Sequence, residues 1–339
     1  MLHISVTIEQ MIPISCIVPT YKRVDQTIKT LELLFASEGI GQAFDLEVII
    51  ADSTPDVVLE HAVRQRFGET IAYVKPAHPG IAMNKNAGAR LAKHPLFIFC
   101  DSDMEVEKNT IIRALEALKT HPTGAMVGGT VLWRTGPNEG KKDRPRPEDR
   151  QQKTGDTTYA EAIYSRFFMT YKDVFWSVGG YDEAVFNMRG EGSDLSIRYW
   201  RAGYPLIFDE SVVVHHIHDV PDAAAVRIDH PEYGIARDYL LLAYKYGMFD
   251  GEYLNFAKTV KANFAHLGED TCIRILEGIG KNMEHVVAAK PDLDVFRVSD
   301  KPKYDFKFLE IFTDQAKLQE CITGAASLLE KPRASAFEG

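Results

Sequence analysis

The 339 residues include 45% hydrophobic side chains and carry a formal net charge of -9. That is enough apolar material for a sizeable core and the wrong sign for a general phosphate-backbone binder, which excludes nucleic acid as a partner class. Four cysteines, Cys16, Cys100, Cys272 and Cys321, lack metal-type spacing, and two of them fall in apolar strand-like runs, so buried free thiols of a reducing compartment are expected.

Strand and helix patterns alternate through the first half. Ile14 to Pro19 reads as a strand, and Val24 to Ala36 as a helix with Ile28, Leu31, Leu34 and Phe35 on one face. Leu46 to Ala51 repeats the strand pattern and Val57 to Phe67 the helical one. Ile71 to Val74 is a further short strand, followed by a helix over Ile81 to Leu91, a strand over Leu96 to Cys100 and a helix over Thr110 to Leu118. This alternation predicts an α/β fold of βαβ units around a mostly parallel, buried sheet flanked by helices. Gly136 to Asp156 is rich in charge, Pro and Gly and predicts a loop. Its Lys141, Lys142, Arg144 and Arg146 are diluted by acidic neighbours, so a solvated loop is favoured over an acceptor-binding or membrane-facing patch. Order returns over Tyr164 to Tyr181, and Gly203 after Trp200-Arg201-Ala202 predicts a helix stop.

From about Ile235 the patterns turn helical, as in Tyr239 to Tyr246, Ile273 to Val287 and Phe308 to Leu329. Two regions are therefore expected, a catalytic domain over 1–234 and an α-helical C-terminal extension over 235–339 that packs on the sheet or on a second copy of the chain. The N-terminus has no signal-peptide pattern and no apolar run approaches bilayer-spanning length. A cytoplasmic protein without a transmembrane segment is the expectation, with peripheral membrane contact left open.

Asp101-Ser102-Asp103 follows the strand ending at Cys100, so two carboxylates emerge where open α/β sheets bind ligands. Hard cations such as Mg²⁺ and Mn²⁺ take such oxygens and share their other positions with substrate phosphates. A turn, or a cap for a helix starting near Glu107, is the bland alternative. Other signals stand in order around it: Pro19-Thr20-Tyr21-Lys22-Arg23, Asp52-Ser53-Thr54-Pro55-Asp56, Gly80 to Gly88 with Lys85-Asn86, Gly179-Gly180-Tyr181-Asp182-Glu183, Gly190 to Arg198, and His215-His216-Ile217-His218-Asp219.

In that order and spacing, Ile14 to Asp219 closely resembles inverting glycosyltransferases of family 2 with the GT-A fold. The resemblance implies that Pro19, Thr20, Tyr21, Arg23 and Asp52 embrace the nucleoside of a nucleotide-sugar donor. It implies that Lys85 offsets diphosphate charge, and that Asn86 hydrogen-bonds donor or backbone. Asp101-Ser102-Asp103 resembles the family's DxD motif, with Asp101 on ribose or sugar and Asp103 on a metal, Mn²⁺ or Mg²⁺. His216-Ile217-His218-Asp219 resembles the H-x-x-D that closes the metal site in related GT-A galactosyltransferases, with His216 the favoured ligand and His215 and His218 its rivals. Imidazole favours Mn²⁺, and strand alternation sends His215 and His216 to opposite faces, so at least one is expected to be structural.

The family usually places its base in a Glu-Asp pair at a helix start. Here the pair reads Glu191-Gly192, so Glu191 is the preferred base and Asp194 the substitute, although Asp194 also suits a first-turn acid paired with Arg198. Asp182, with Tyr181 and Phe186, lies where the family lines its donor-sugar or acceptor pocket; turn chemistry explains Gly-Gly-Tyr-Asp equally. Asp52 suits an Asx turn, Arg23 a solvated residue near a helix start, Lys85 an exposed helix residue, and Trp200 a core position. Asp219 to Glu232 reads as a lid or a passive linker. The expected activity is metal-dependent transfer of a sugar from a nucleotide diphosphate, UDP favoured, to a hydroxyl acceptor on a glycan, lipid-linked carrier or protein. A retaining transferase and a non-catalytic nucleotide-sugar-binding subunit are the alternatives, and homo-oligomerisation through the C-terminal helices is open.

Overall fold

The structure is a computed structural model that describes residues 11–135, 139–143, 151–183, 186 and 190–217. The expected C-terminal helices, the segment Asp219 to Glu232, His218, Cys272 and Cys321 lie outside the described residues. In chain order the elements are β1 (Ile12–Thr20), α1 (Val24–Phe35), β2 (Phe44–Asp52), α2 (Val58–Phe67), β3 (Ala72–Val74), α3 (Ile81–Leu91), β4 (Leu96–Cys100) and β5 (Met104–Val106). There follow α4 (Thr110–Lys119), β6 (Met126–Trp133), β7 (Lys142–Asp143), β8 (Gln151–Thr154), β9 (Thr157–Ala160), β10 (Phe167–Tyr171), α5 (Lys172–Ser177), α6 (Glu191–Arg201) and β11 (Leu206–His216).

Among the described residues the strands join in the order β3-β2-β1-β4-β10-β6-β11-β9-β8, with β5 on β11 and β7 on β6. β1 lies parallel between β2 and β4, and β3 is parallel to β2. These are the βαβ units that the alternating patterns predict; β1 from Ile14 onward and all of β4 are buried, as central strands of a parallel sheet are, while β3 at the edge is half-buried. β10 then inserts antiparallel between β4 and β6, and β11 runs parallel to β6, so the sheet is mixed. Ile14, Ile17, Val18, Phe97, Ile98 and Phe99 are fully buried. Each contributes about 1.5–3 kcal/mol through apolar burial. Phe99 stacks on Phe168 at 4.9 Å and meets the Tyr181 ring edge-on at 5.5 Å, which ties the loop after α5 to the middle of the sheet.

The loop expected over Gly136 to Asp156 needs correction. Lys142–Asp143 pairs with β6, and Gln151–Thr154 forms a hairpin with β9. Gly155 turns that hairpin at φ 62. Charged composition hid these strands, because edge strands tolerate Lys, Asp and Gln where central ones do not. Asp101-Ser102-Asp103 does not cap a helix near Glu107 either; β5 intervenes and α4 starts at Thr110. Gly203, at φ 83, does follow α6 in the left-handed conformation. Cys16 and Cys100 are buried free thiols. Among the described residues no helix is long and apolar enough to cross a membrane.

One irregularity aims the end of β11. Its register against β6 shifts between Asp209 and Val213, after which Val213 to His216 pair with Thr130 to Trp133. At that bulge Gly129 is approached so closely that an added Cβ would lie 1.9 Å from the Val212 carbonyl oxygen. The obstacle is backbone, so it cannot swing aside. Gly129→Ala should therefore lose roughly 1–3 kcal/mol of stability in urea unfolding, and an unchanged midpoint would mean that the bulge is not held at this contact.

Candidate active site

Two short elements bring far-apart residues together. The acidic triplet fills the turn from β4 to β5, where the Met104 N–H donates to the Asp101 carbonyl at 3.1 Å. The Thr30 hydroxyl of α1 lies 3.0 Å from the Ser102 carbonyl and 2.9 Å from the Met104 carbonyl, pinning that turn from below. β5 then pairs antiparallel with β11, setting His216 opposite Met104, and the Ile217 N–H donates to the Asp103 carbonyl at 3.0 Å. As a result His216 Nε2 lies 3.2 Å from Asp103 Oδ2. Both residues are buried, and the imidazole packs against the Trp133 ring with centroids 4.2 Å apart. His215, the next residue, meets Glu107 Oε1 at 2.9 Å, so the two histidines address different partners.

The Arg23 guanidinium forms an ion pair with the same Asp103 Oδ2. Burial lowers its pKa from the ordinary arginine value, while the charge of Asp101 pushes back. Arg23 is thus not the solvated residue of the bland alternative. A cation already sits against the carboxylate that the imidazole also faces.

The second half of the site is built round Lys85. Its ammonium is fully buried, lies 3.2 Å from Asp101 Oδ1 and 3.8 Å from Glu191 Oε1, and donates to the Ser165 carbonyl at 2.7 Å. An exposed helix position is therefore ruled out for Lys85. Glu191 opens α6 after Gly190, whose φ of 82 is open to glycine at little cost. The first turn also places the carboxylate at the favourable end of the helix dipole. Its Oε1 accepts the Ser165 hydroxyl at 2.6 Å.

Other predicted residues take structural partners. Asp52 is fully buried, accepts the Thr54 N–H at 2.8 Å in an Asx turn and accepts the Tyr73 hydroxyl. Asp194 is fully buried and is held by Arg198 Nε at 2.9 Å and Nη2 at 2.6 Å, while Arg198 also donates to the Val178 carbonyl. That geometry is the first-turn pairing. Asn86 donates to the Tyr181 carbonyl at 2.8 Å and accepts the Tyr181 N–H at 2.9 Å, so it fastens the loop that carries Asp182. Pro19, Thr20 and Ser102 are buried at strand ends, and the Thr20 and Thr27 hydroxyls are 3.0 Å apart. Tyr21 and Asp182 are half-buried. Trp200 is core, donating from Nε1 to the Ala160 and Glu161 carbonyls at 3.2 Å. Ser165 and Trp133 are contacts that sequence reasoning missed; a lone serine and a strand tryptophan carry no spacing signal.

The donors present fit a hard divalent cation. Asp103 from the β4–β5 turn and His216 from the end of β11 converge, and the adjacent Arg23 shows that the place accepts positive charge. Among the described residues no three His, Cys, Asp or Glu side chains converge. A two-ligand set suits ions that fill their remaining positions with phosphate oxygens and water.

A sheet of this topology with the acidic triplet at the carboxyl end of β4 defines a GT-A fold. Residues 15–179 match the profile described as Glycosyl transferase family 2, so over that span the chain is similar to the family. N-acetylgalactosaminyltransferase 4 of Drosophila melanogaster is 27% identical over 178 residues, covering 47% of this chain and 28% of the relative. Validoxylamine A glucosyltransferase of Streptomyces hygroscopicus subsp. jinggangensis (strain 5008) is 26% identical over 233 residues, covering 57% of this chain and 52% of the relative. The chain thus spans about half or less of the length of these relatives. GalNAc-T7 with UDP, GalNAc and Mn²⁺ superposes with a TM-score of 0.56 at 14% identity, over 83% of this chain and 57% of that one. A mannosyltransferase of Pyrobaculum calidifontis with GDP-Man and Mn²⁺ gives 0.52 at 18% identity, over 96% and 89%. S. aureus TarS with UDP-GlcNAc gives 0.55 at 14% identity, over 94% and 91%.

The Asp194–Arg198 pair generates a stability prediction. Removing one member of a buried, hydrogen-bonded pair leaves the other uncompensated, which costs about 3–5 kcal/mol. Asp194→Ala should lower the denaturation midpoint by a corresponding amount. A midpoint at the wild-type value combined with lost turnover would instead assign Asp194 to chemistry.

Proposed function

We propose that this chain transfers a sugar from a nucleotide diphosphate, UDP favoured, to a hydroxyl acceptor, with metal dependence and inversion at the anomeric carbon, in glycan or glycoconjugate synthesis. The observation that carries this reading is the 3.2 Å approach of Asp103 and His216 beside the Lys85–Asp101–Glu191 cluster. It supports reading Asp103 and His216 as a two-donor cation site and Glu191 as the carboxylate base. Support for nucleotide sugars as donors comes from the enzymes whose folds are similar, and UDP accompanies two of the three named above.

Asp103 and His216 hold the metal in this reading. When bound, Mn²⁺ or Mg²⁺ supplies Lewis-acid relief of the charge that builds on the leaving diphosphate. Arg23 and Lys85 are the chain's own cations at the same place, with Lys85 the one that would offset diphosphate charge. Tyr21 and the β1 end flank the nucleoside, and Asp101 orients ribose or sugar. Glu191 takes the proton of the acceptor hydroxyl while its oxygen bonds to the anomeric carbon. The bond from that carbon to the diphosphate oxygen breaks on the opposite face, and its electron pair leaves with the nucleotide. Attack opposite to departure inverts the anomer.

Three measurements test this. UDP-, GDP- and TDP-sugars are screened by thermal shift with and without Mn²⁺, and a metal-dependent rise is expected for the UDP set because ligands that bind only the folded state stabilise it. Asp103→Ala should abolish that rise, and a persisting metal-dependent shift would remove Asp103 from the site. Glu191→Gln should keep UDP affinity and lose roughly 10²–10⁴-fold in turnover of labelled donor, with normal turnover counting against a base at 191. Product from the active wild type should carry the inverted anomer; retention overturns the single displacement, and donor binding without product favours a non-catalytic subunit.

A further inference from the structure

Ser165 lies in the connection from β9 to β10 and is gripped on three sides. Its hydroxyl donates to Glu191 Oε1 at 2.6 Å. Its carbonyl accepts Lys85 Nζ at 2.7 Å, and the same ammonium is 3.8 Å from Oε1. Against its Cβ stands Gly192, where an added side chain would begin 2.8 Å from Ser165 Cβ and 3.0 Å from Oγ. The neighbouring Arg166 carbonyl accepts the Asp101 N–H at 2.8 Å, so this connection is also hooked to the acidic triplet.

We propose that Ser165 is the positioning residue for Glu191. It fixes Oε1 so that Oε2 is the oxygen that receives the acceptor proton, and the glycine at 192 makes room for it. The inference rests on the proposed role of Glu191 as base. It accounts for the loss of the acid expected at 192: a side chain there and the Ser165 hydroxyl compete for one space, and this chain keeps the hydroxyl. A carboxylate anchored at one oxygen also loses less orientational freedom when the acceptor arrives, which is an entropic gain realised in turnover rather than in donor binding.

The test uses the full chain with Mn²⁺ and three donors, UDP-N-acetylgalactosamine, UDP-N-acetylglucosamine and UDP-glucose, reading UDP release to water and to free monosaccharides. Ser165→Ala should lower kcat about 10- to 100-fold, the range for a lost hydrogen bond to a charged group, with donor KM and UDP affinity within twofold of wild type. Ser165→Thr, which keeps the hydroxyl, should recover most of kcat. In a Glu191→Gln background Ser165→Ala should cost nothing further, because residues acting as a unit are non-additive. Equal losses in both backgrounds, a raised KM with kcat unchanged, or failure of threonine to rescue would overturn the role. Should Ser165→Ala unfold, Gly192→Ala displaces the serine without removing it and must reproduce the kcat loss; wild-type kcat in that variant overturns the inference. A folded wild type that binds UDP but releases none from any donor overturns the proposed function and this role with it, whereas an active wild type indifferent to Ser165→Ala overturns this role alone.

Discussion

Burying an ammonium costs several kcal/mol unless carboxylates accompany it, and Lys85 is buried completely between Asp101 and Glu191. That requirement links three elements that are remote in sequence. α3 carries the cation, the turn after β4 carries one anion, and the first turn of α6 carries the other. None of the three can drift without leaving the fully buried ammonium unmatched. The Ser165 carbonyl completes the ammonium's shell, which adds the β9–β10 connection to the same knot. Rigidity at the site therefore comes from charge compensation, while the aromatic stack of Phe99, Phe168 and Tyr181 supplies the apolar floor beneath it.

A parallel logic governs the other half. Asp103 is almost wholly buried and faces both an imidazole and a guanidinium. A carboxylate in that setting needs positive charge nearby at all times, and Arg23 meets the need in the structure described here. The place is consequently pre-shaped before any ligand arrives, with Asp103 and His216 held together by the pairing of β5 with β11. Pre-shaping of this kind lowers the ordering cost of binding. The β11 bulge matters for the same reason: it adjusts the register by which His216 arrives opposite Met104 and beside Trp133.

Most of the parallel half of the fold was legible in the sequence because its strands are short apolar runs and its helices keep a clean 3.6-residue stripe; Ile81–Leu91 and Leu96–Cys100 emerge with the boundaries the pattern suggests. β5 was not, since three residues with a glutamate in the middle give no period to read. β7 and β8 were hidden by charge. At the site, spacing located Asp101, Asp103 and His216 but could not say that Asp194 closes on Arg198 or that Asp52 closes on Tyr73 and Thr54. Those are choices among equally plausible hydrogen-bond partners, and only three-dimensional proximity makes them. Ser165 had no signal at all, because its importance lies in what surrounds it.

The glycine beside the proposed base becomes intelligible on charge grounds as well as steric ones. Lys85 already stands against two carboxylates, and Arg23 is committed to Asp103. A further acid at 192 would put a third negative group within reach of one ammonium, and like charges at such separations raise the free energy of the ionised cluster. A neutral hydroxyl from Ser165 orients Glu191 without adding to that load. The arrangement thus keeps Glu191 oriented and one ammonium sufficient, which are the two conditions that the proposed role of Glu191 as base requires.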